Sequence, residues 1–451
     1  MNIYKKLSAN LITVTIFLIA SSVYFGFSLI LSFATAILYS FIVLQRNEFD
    51  IRLLLTQSLD SVLKYIPLYI TIFLIGATVS MWLSSGVIAS MIYYGFNYVR
   101  GINFLFFSFI IITMCSVFMG TAVGTFSTIG LILYSIGSAI GIPPHIMMGT
   151  IVSGAFIADK ISPLSGLMNI VLKVTETNYN KTFKSMMYTL IPSMLLTLTF
   201  YLVVGNKYIV GDNMSDFVIL QGALKSSYII SPWLLLFPIF IILMSSRGIN
   251  SLFTVGSGVL IGSFLTIFVQ GYSDVTTLGF LVNGFVLNSD NTYLSSILHG
   301  GGVAGMIEVI AIVVSAIFLV SIFEKSGIIN YIIGNYIKNI KNPSELIMKT
   351  AILSGCLTIL TCDQTVGIVL PGTFLKEKYE NFGIDSSVLA RTISDSGIII
   401  APIIPWNINF IIITSIISTG LSFIPYAVFC FICPLVTIIS SFFIKKKSYN
   451  P

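Results

Sequence analysis

Two stretches of this 451-residue sequence gather carboxylates, hydroxyls, an amide and prolines inside apolar surroundings. Residues 154–169 place Asp159, Lys160, Ser162, Ser165 and Asn169 around Pro163. Residues 390–407 place Arg391, Asp395 and Ser396 before Pro402 and Pro405, with Asn407 after them. Proline lacks the N–H that continues a helix and clashes with the preceding turn, so each helix is expected to break there. A break frees carbonyls of one half-helix and N–H groups of the other, and these can ligate a cation or an anion. The competing reading is a proline kink with a local Asp159–Lys160 charge pair near an interface.

A second pair of stretches has the composition of re-entrant hairpin tips. Residues 119–130 carry Gly120, Thr121, Gly124 and Thr125, and residues 361–367 carry Asp363 and Gln364. Glycine permits close approach, and the hydroxyls and the carboxylate offer oxygen ligands. No Gly-Lys-Ser/Thr follows the first glycine run, so it is not a phosphate loop. Small-residue helix packing would explain that run nearly as well, whereas Asp363 is harder to explain by packing. His299-Gly300-Gly301-Gly302 has no nucleophile elbow beside it and reads as a flexible extracellular loop; His145 sits in a connecting turn. Glu308, Glu324 and Lys325 bound one apolar span.

The elements that must position these residues lie in a membrane. Apolar residues make up 56% of the chain and charged residues 9%, with a mean hydropathy of +0.98. Soluble domains carry about 25% charged residues, and several apolar runs here reach the roughly 20 residues that cross a bilayer. No stretch is left for a separate soluble domain. The net charge of +6 is no nucleic-acid signal, because Lys5, Lys6, Lys173, Lys181, Lys184, Lys338, Lys341, Lys349 and Lys445 to Lys447 flank apolar runs. That is the pattern of cytoplasmic loops. The five cysteines lie inside apolar runs, and Cys430 and Cys433 beside Pro434 read as packed small residues rather than a redox pair. The run from Leu11 to Leu44 is too long for a cleaved signal and reads as an anchor of two short helices broken near Gly26.

The sequence also repeats itself. Ser85-Gly86 recurs as Ser326-Gly327, an offset of 241 residues that also sets Gly120-Thr121 on Thr361-Cys362. Near the prolines the offset becomes 242: Gly141-Ile142 meets Gly383-Ile384, Thr150 meets Thr392, and Pro163 meets Pro405. The segment from Phe183 begins beside lysines, whereas its counterpart from Phe423 ends beside them, so matched segments run in opposite directions. A match of Leu11 with Leu252 fails this test and is read as accidental. The expected fold is an all-α polytopic membrane protein of two inverted repeats, with broken helices, re-entrant hairpins and about 10–14 membrane segments. Residues 1–205 form the first repeat, 206–228 a polar linker with Lys207, Asp212, Asn213, Asp216 and Lys225, and 229–451 the second.

At these motifs the chain resembles the NhaC family of sodium/proton antiporters. Ala158 to Asn169 resembles that family's Gly-Asp-Lys-Met-Ser-Pro-Leu-Ser-Asp-Thr-Thr-Asn. Asp395-Ser396-Gly397, Ala401 to Asn407, and Asp363-Gln364 with Ile368-Val369-Leu370-Pro371-Gly372 resemble three more of its motifs. Ile92-Tyr93-Tyr94-Gly95 and Phe323 to Gly327 add to the likeness, which runs from about residue 65 to residue 410. One departure stands out: Gly166-Leu167-Met168 replaces Asp-Thr-Thr, removing a carboxylate and two hydroxyls.

The resemblance implies a sodium/proton antiporter working by alternating access, with no cofactor and no enzymatic chemistry. It implies that Asp159 and Asp395 alternate between ligating sodium and carrying protons, with Asp363 as a third carboxylate for the ion. Thr121, Thr125, Ser162, Ser165, Asn169, Gln364, Ser396 and Asn407 would supply further oxygens. The alternative is a sodium- or proton-coupled carrier of a small organic acid or amino acid, with Lys160 or Arg391 facing the anion. A channel fits paired broken helices less well. The expected setting is a bacterial inner membrane, multi-pass, with both termini cytoplasmic, lipid as the surrounding partner and a homodimer compatible with the architecture.

Overall fold

The computed structural model describes residues 2–209, 215–247, 249, 251–287 and 298–443. Lys445 to Lys447, with the orientation signal they carry, and Asp212 and Asn213 of the expected linker lie outside the described residues.

Helices make up most of the described chain, because lipid offers the backbone no other hydrogen-bond partners. Among the described residues, six helices are long and apolar enough to cross a membrane, or nine if each of three bent pairs is one span. Shorter apolar helices, among them Leu29–Gln45 and Val428–Ser441, join them. Gly26, at φ +72°, separates Asn2–Phe25 from Leu29–Gln45 as expected.

The two halves repeat each other in backbone detail. Gly86 (φ +75°) and Gly327 (φ +76°) open Val87–Val99 and Ile328–Tyr336. Gly120 (φ +75°) ends Phe104–Met119, and Cys362 (φ +60°) ends Pro343–Thr361. This corrects the tip register from 241 to 242 residues, so that Thr121 matches Asp363 rather than Cys362. Both have extended backbone and both begin a returning helix, Ala122–Thr125 and Gln364–Asn381. Further on, Ser165 and Asn407 hold matching N-cap positions at the starts of Gly166–Thr175 and Ile408–Ile416. Ile66–Ser84 packs on Ser251–Phe268, and its counterpart Gly305–Lys325 packs on Leu29–Gln45.

One expectation changes. The His299–Gly302 run is not a flexible loop. His299–Gly300 pairs antiparallel with Phe285–Val286, and the Gly302 N–H donates to the Gly76 carbonyl at 2.8 Å. A Cβ on Gly76 would lie 2.6 Å from the Gly302 oxygen, so this loop is a glycine-to-glycine backbone contact. Residues 206–228, expected as a polar linker, include the helix Ser215–Ser227, with Leu224 and Tyr228 buried and Gln221 Nε2 donating to the Tyr93 carbonyl.

Candidate functional site

The first hairpin tip rests directly on the first break. A Cβ on Gly120 would lie 2.5 Å from Leu164 Cβ and 3.0 Å from its carbonyl carbon, so only glycine allows this approach as well as the left-handed backbone. Ser162 Oγ donates to the Val117 carbonyl at 2.6 Å and fastens the break to the hairpin's first arm. Thr121 Oγ1 accepts from the Gly124 N–H (2.9 Å), and Thr125 Oγ1 donates back to the Thr121 carbonyl (2.7 Å).

Asp159 sits in the five-residue helix Ile157–Ile161, facing this tip and only 7% exposed. The Ala122 N–H and Ser165 Oγ both donate to its Oδ1, each at 3.4 Å. These are long bonds for a carboxylate that accepts up to about four. Among the described residues no cation pairs with it.

Lys160 points elsewhere, which overturns the local Asp159–Lys160 pair. Its Nζ lies 2.5 Å from Asp395 Oδ1, both side chains fully buried. Thr189 Oγ1 and Cys433 Sγ accept from the same Nζ at 3.4 and 3.3 Å. Asp395 stands in a wide π turn, Ser394–Ile398, where Thr437 Oγ1 donates to its Oδ2 at 2.6 Å and Cys433 Sγ approaches Oδ1 at 3.6 Å. The pair thus ties the broken helix of the first half to that of the second. Removing one partner of such a pair costs about 3–5 kcal/mol, because the other charge is stranded.

The second tip carries its carboxylate on the tip itself. Tyr65 OH donates to Asp363 Oδ2 at 3.3 Å. Asp363, Tyr65, Ser61, Ser321 and Glu324, with Lys64 and Lys325, line a cavity of about 210 Å³. The Ile408 N–H donates to the Cys362 carbonyl at 3.0 Å, joining tip to break. Gln364 bridges the same two elements: its Nε2 donates to the Ile398 carbonyl (2.7 Å) and its Oε1 accepts from Asn409 Nδ2 (3.0 Å). Asn407 Oδ1 accepts from the Asn409 N–H at 3.0 Å, while its buried Nδ2 has no partner.

The remaining candidates fall outside these clusters. Ser396 Oγ donates to the Thr392 carbonyl of its own helix. Asn169 is exposed on Gly166–Thr175, Leu167 is half-buried, and Met168 is fully buried in the core. Arg391 lines neither hairpin-tip cavity and belongs to a separate one. No three histidines, cysteines or carboxylates converge among the described residues, so Asp159, Asp363 and Asp395 occupy three different settings. Tyr65, Asn409, Cys433 and Thr437 escaped sequence reasoning. Only Cys433 and Thr437 left a signal there, two polar groups at i, i+4 spacing on one face of an apolar helix.

A family model described as the Na+/H+ antiporter family matches residues 154–444, more than half of the chain. The chain belongs to this family. The match takes in both broken helices, the Lys160–Asp395 pair and the second tip, and begins after the first tip. The Na(+)/H(+) antiporter NhaC of Alkalihalophilus pseudofirmus is 28% identical over 375 residues, covering 83% of this chain and 81% of that protein. The malate-2H(+)/Na(+)-lactate antiporter of Bacillus subtilis is 26% identical over 355 residues, covering 78% and 76%. The arginine/ornithine antiporter ArcD of Halobacterium salinarum is 26% identical over 375 residues, covering 82% and 77%. Family membership and the apolar helices make this protein a multi-pass membrane transporter.

Proposed function

We propose that this protein exchanges sodium for protons by alternating access, with Asp159 as the group for which the two cations compete. The observation that carries the reading is the state of Asp159: buried, held by two long hydrogen bonds, and without a cation partner. A carboxylate so placed takes either a proton or a dehydrated sodium ion, and one site that holds both in turn couples their fluxes. Ser165 Oγ and the tip around Thr121 complete the oxygen set when sodium binds. Asp363 and Tyr65 offer a second oxygen cluster at the other tip. The Lys160–Asp395 pair neutralises two charges inside the membrane and joins the half-helices that move.

The organic-substrate alternative would gain if Leu167 and Met168, apolar where the family motif is polar, met the carbon skeleton of a substrate. Met168 is instead sealed in the core, which removes half of that support. The basic flanks at Lys173, Lys181 and Lys184 support a cytoplasmic side for this end of the protein in a bacterial-type inner membrane, and the proposal puts both termini on that side.

The test is proton flux in vesicles containing the purified protein and a pH-sensitive dye. A sodium pulse is expected to drive proton movement in the opposite direction, with no response to potassium. Proton movement that follows malate, lactate or arginine but ignores sodium would overturn the reading.

A further inference from the structure

A further cavity lies away from both tips, between the start of Tyr179–Gly205, the helix Ser386–Ile393 and the end of Val428–Ser441. It measures about 820 Å³. Arg391 lines it while only 4% exposed. Neither Nε nor Nη2 of its guanidinium meets a hydrogen-bond partner, and no carboxylate pairs with it among the described residues. Burying a charge without a counter-charge is heavily penalised, and more so within a bilayer. Ser185 Oγ, on the facing helix, is also buried and unpartnered.

The rest of the lining shows what would satisfy these groups. Lys181 and Lys184 stand exposed on the same wall. Asp385 is the one carboxylate among the described lining residues, and its Oδ1 already accepts from the Ser387 N–H at 2.8 Å. Three cations therefore face one engaged carboxylate. Tyr188 and Phe443, which also line the cavity, are 77% and 79% exposed. Aromatics beside lysines at a helix end are the composition of a membrane–water interface.

We propose that this cavity binds the phosphate of an anionic phospholipid from the cytoplasmic leaflet. Arg391 would take the phosphate through its planar fork, which matches that geometry. Lys184 and Lys181 would hold the outer headgroup, and the acyl chains would run along Tyr188 and Phe443. The exposed aromatic rim favours a lipid over a free anion, and that leaflet is where anionic lipids meet basic segments. Arg391 lies four residues before Asp395 on the same broken helix, so the bound headgroup would steady the element that holds Lys160.

The test uses the full chain in a neutral detergent, with thermal unfolding followed on adding dioctanoyl phosphatidylglycerol, dioctanoyl phosphatidylcholine or glycerol phosphate. Phosphatidylglycerol is expected to raise the unfolding temperature saturably, the other two not. Arg391→Gln should abolish the effect. Lys184→Gln, at an exposed position that does not threaten folding, should weaken the apparent affinity about fivefold, as expected for one basic residue at an anionic surface. Equal stabilisation by phosphatidylcholine would show a non-specific detergent effect, and equal stabilisation by glycerol phosphate a soluble-anion site; either overturns the proposal. So does wild-type affinity in Lys184→Gln together with Lys181→Gln, which decides the matter even if Arg391→Gln fails to fold.

Discussion

The two hairpin tips share a backbone and differ in charge. Three lining positions of the first tip cavity, Met119, Thr121 and Gly124, recur 242 residues later as Thr361, Asp363 and Val366 in the second. Yet the first cavity holds about 20 Å³ and the second about 210 Å³. The smaller has room for about one water, which the unpartnered Trp82 Nε1 in its wall would bind. At the first tip the carboxylate comes from the adjoining break, as Asp159. At the second it stands on the tip, as Asp363, and the break's own aspartate turns away to Lys160. The repeat thus preserves the cradle of left-handed entry, capped helix and proline break, while each copy receives its charge from a different element. What the inverted repeat determines is where ligands can gather, and the chemistry is set by which copy carries them.

Four sets of changes would break or sharpen this contrast. The largest effect is expected at the pair joining the halves. Asp395→Asn leaves Lys160 buried without an anion and should cost about 3–5 kcal/mol, read as unfolding in mixed micelles. Lys160→Met combined with Asp395→Leu should recover most of that stability. If Asp395→Asn unfolds like wild type and loses only transport, Asp395 is an ion carrier and not a tie.

Next, Asp159→Asn should reduce sodium-driven proton flux about 100-fold at matched expression, equivalent to about 2.7 kcal/mol. Asp363→Asn should reduce it only about tenfold, since Asp363 is half-buried and already accepts from Tyr65. Equal losses in the same vesicle assay would make the tips equivalent.

A backbone test follows. Gly120→Ala forces a side chain into left-handed backbone against Leu164 and should destabilise by about 1–3 kcal/mol. Cys362→Gly suits the same backbone at the other tip and should stay within about 1 kcal/mol of wild type, the entry strain it relieves offsetting lost packing. Thermal unfolding of the two variants side by side decides it; a tolerated Gly120→Ala would mean that the first tip does not need its close approach.

The smallest effect concerns the departure at residues 166–168. A Cβ on Gly166 would meet nothing within 4 Å, so Gly166→Asp fits without displacement. It should lower the sodium concentration for half-maximal flux a few-fold, about 1 kcal/mol of added charge interaction. Adding Met168→Thr would excise a fully buried side chain and should instead cost stability. No gain from Gly166→Asp would mean that position 166 lies outside the ion's coordination sphere.

Much of this was legible in the sequence because it is local. Prolines break helices where they stand, and glycines bend chains where they stand. Composition alone dictates helices in lipid, and the 241- to 242-residue register exposes the repeat. Even the failure of a local Asp159–Lys160 pair follows from helix geometry, since adjacent side chains point about 100° apart. The tertiary structure alone decided where each charge went. Lys160 meets an aspartate in the opposite half, Tyr65 reaches Asp363 from the turn between Ile51–Lys64 and Ile66–Ser84, and Met168 turns into the core although its spacing matches a ligand motif. Such choices depend on which faces pack together, and no spacing along one strand of sequence records the contact between two elements folded from opposite halves of the chain.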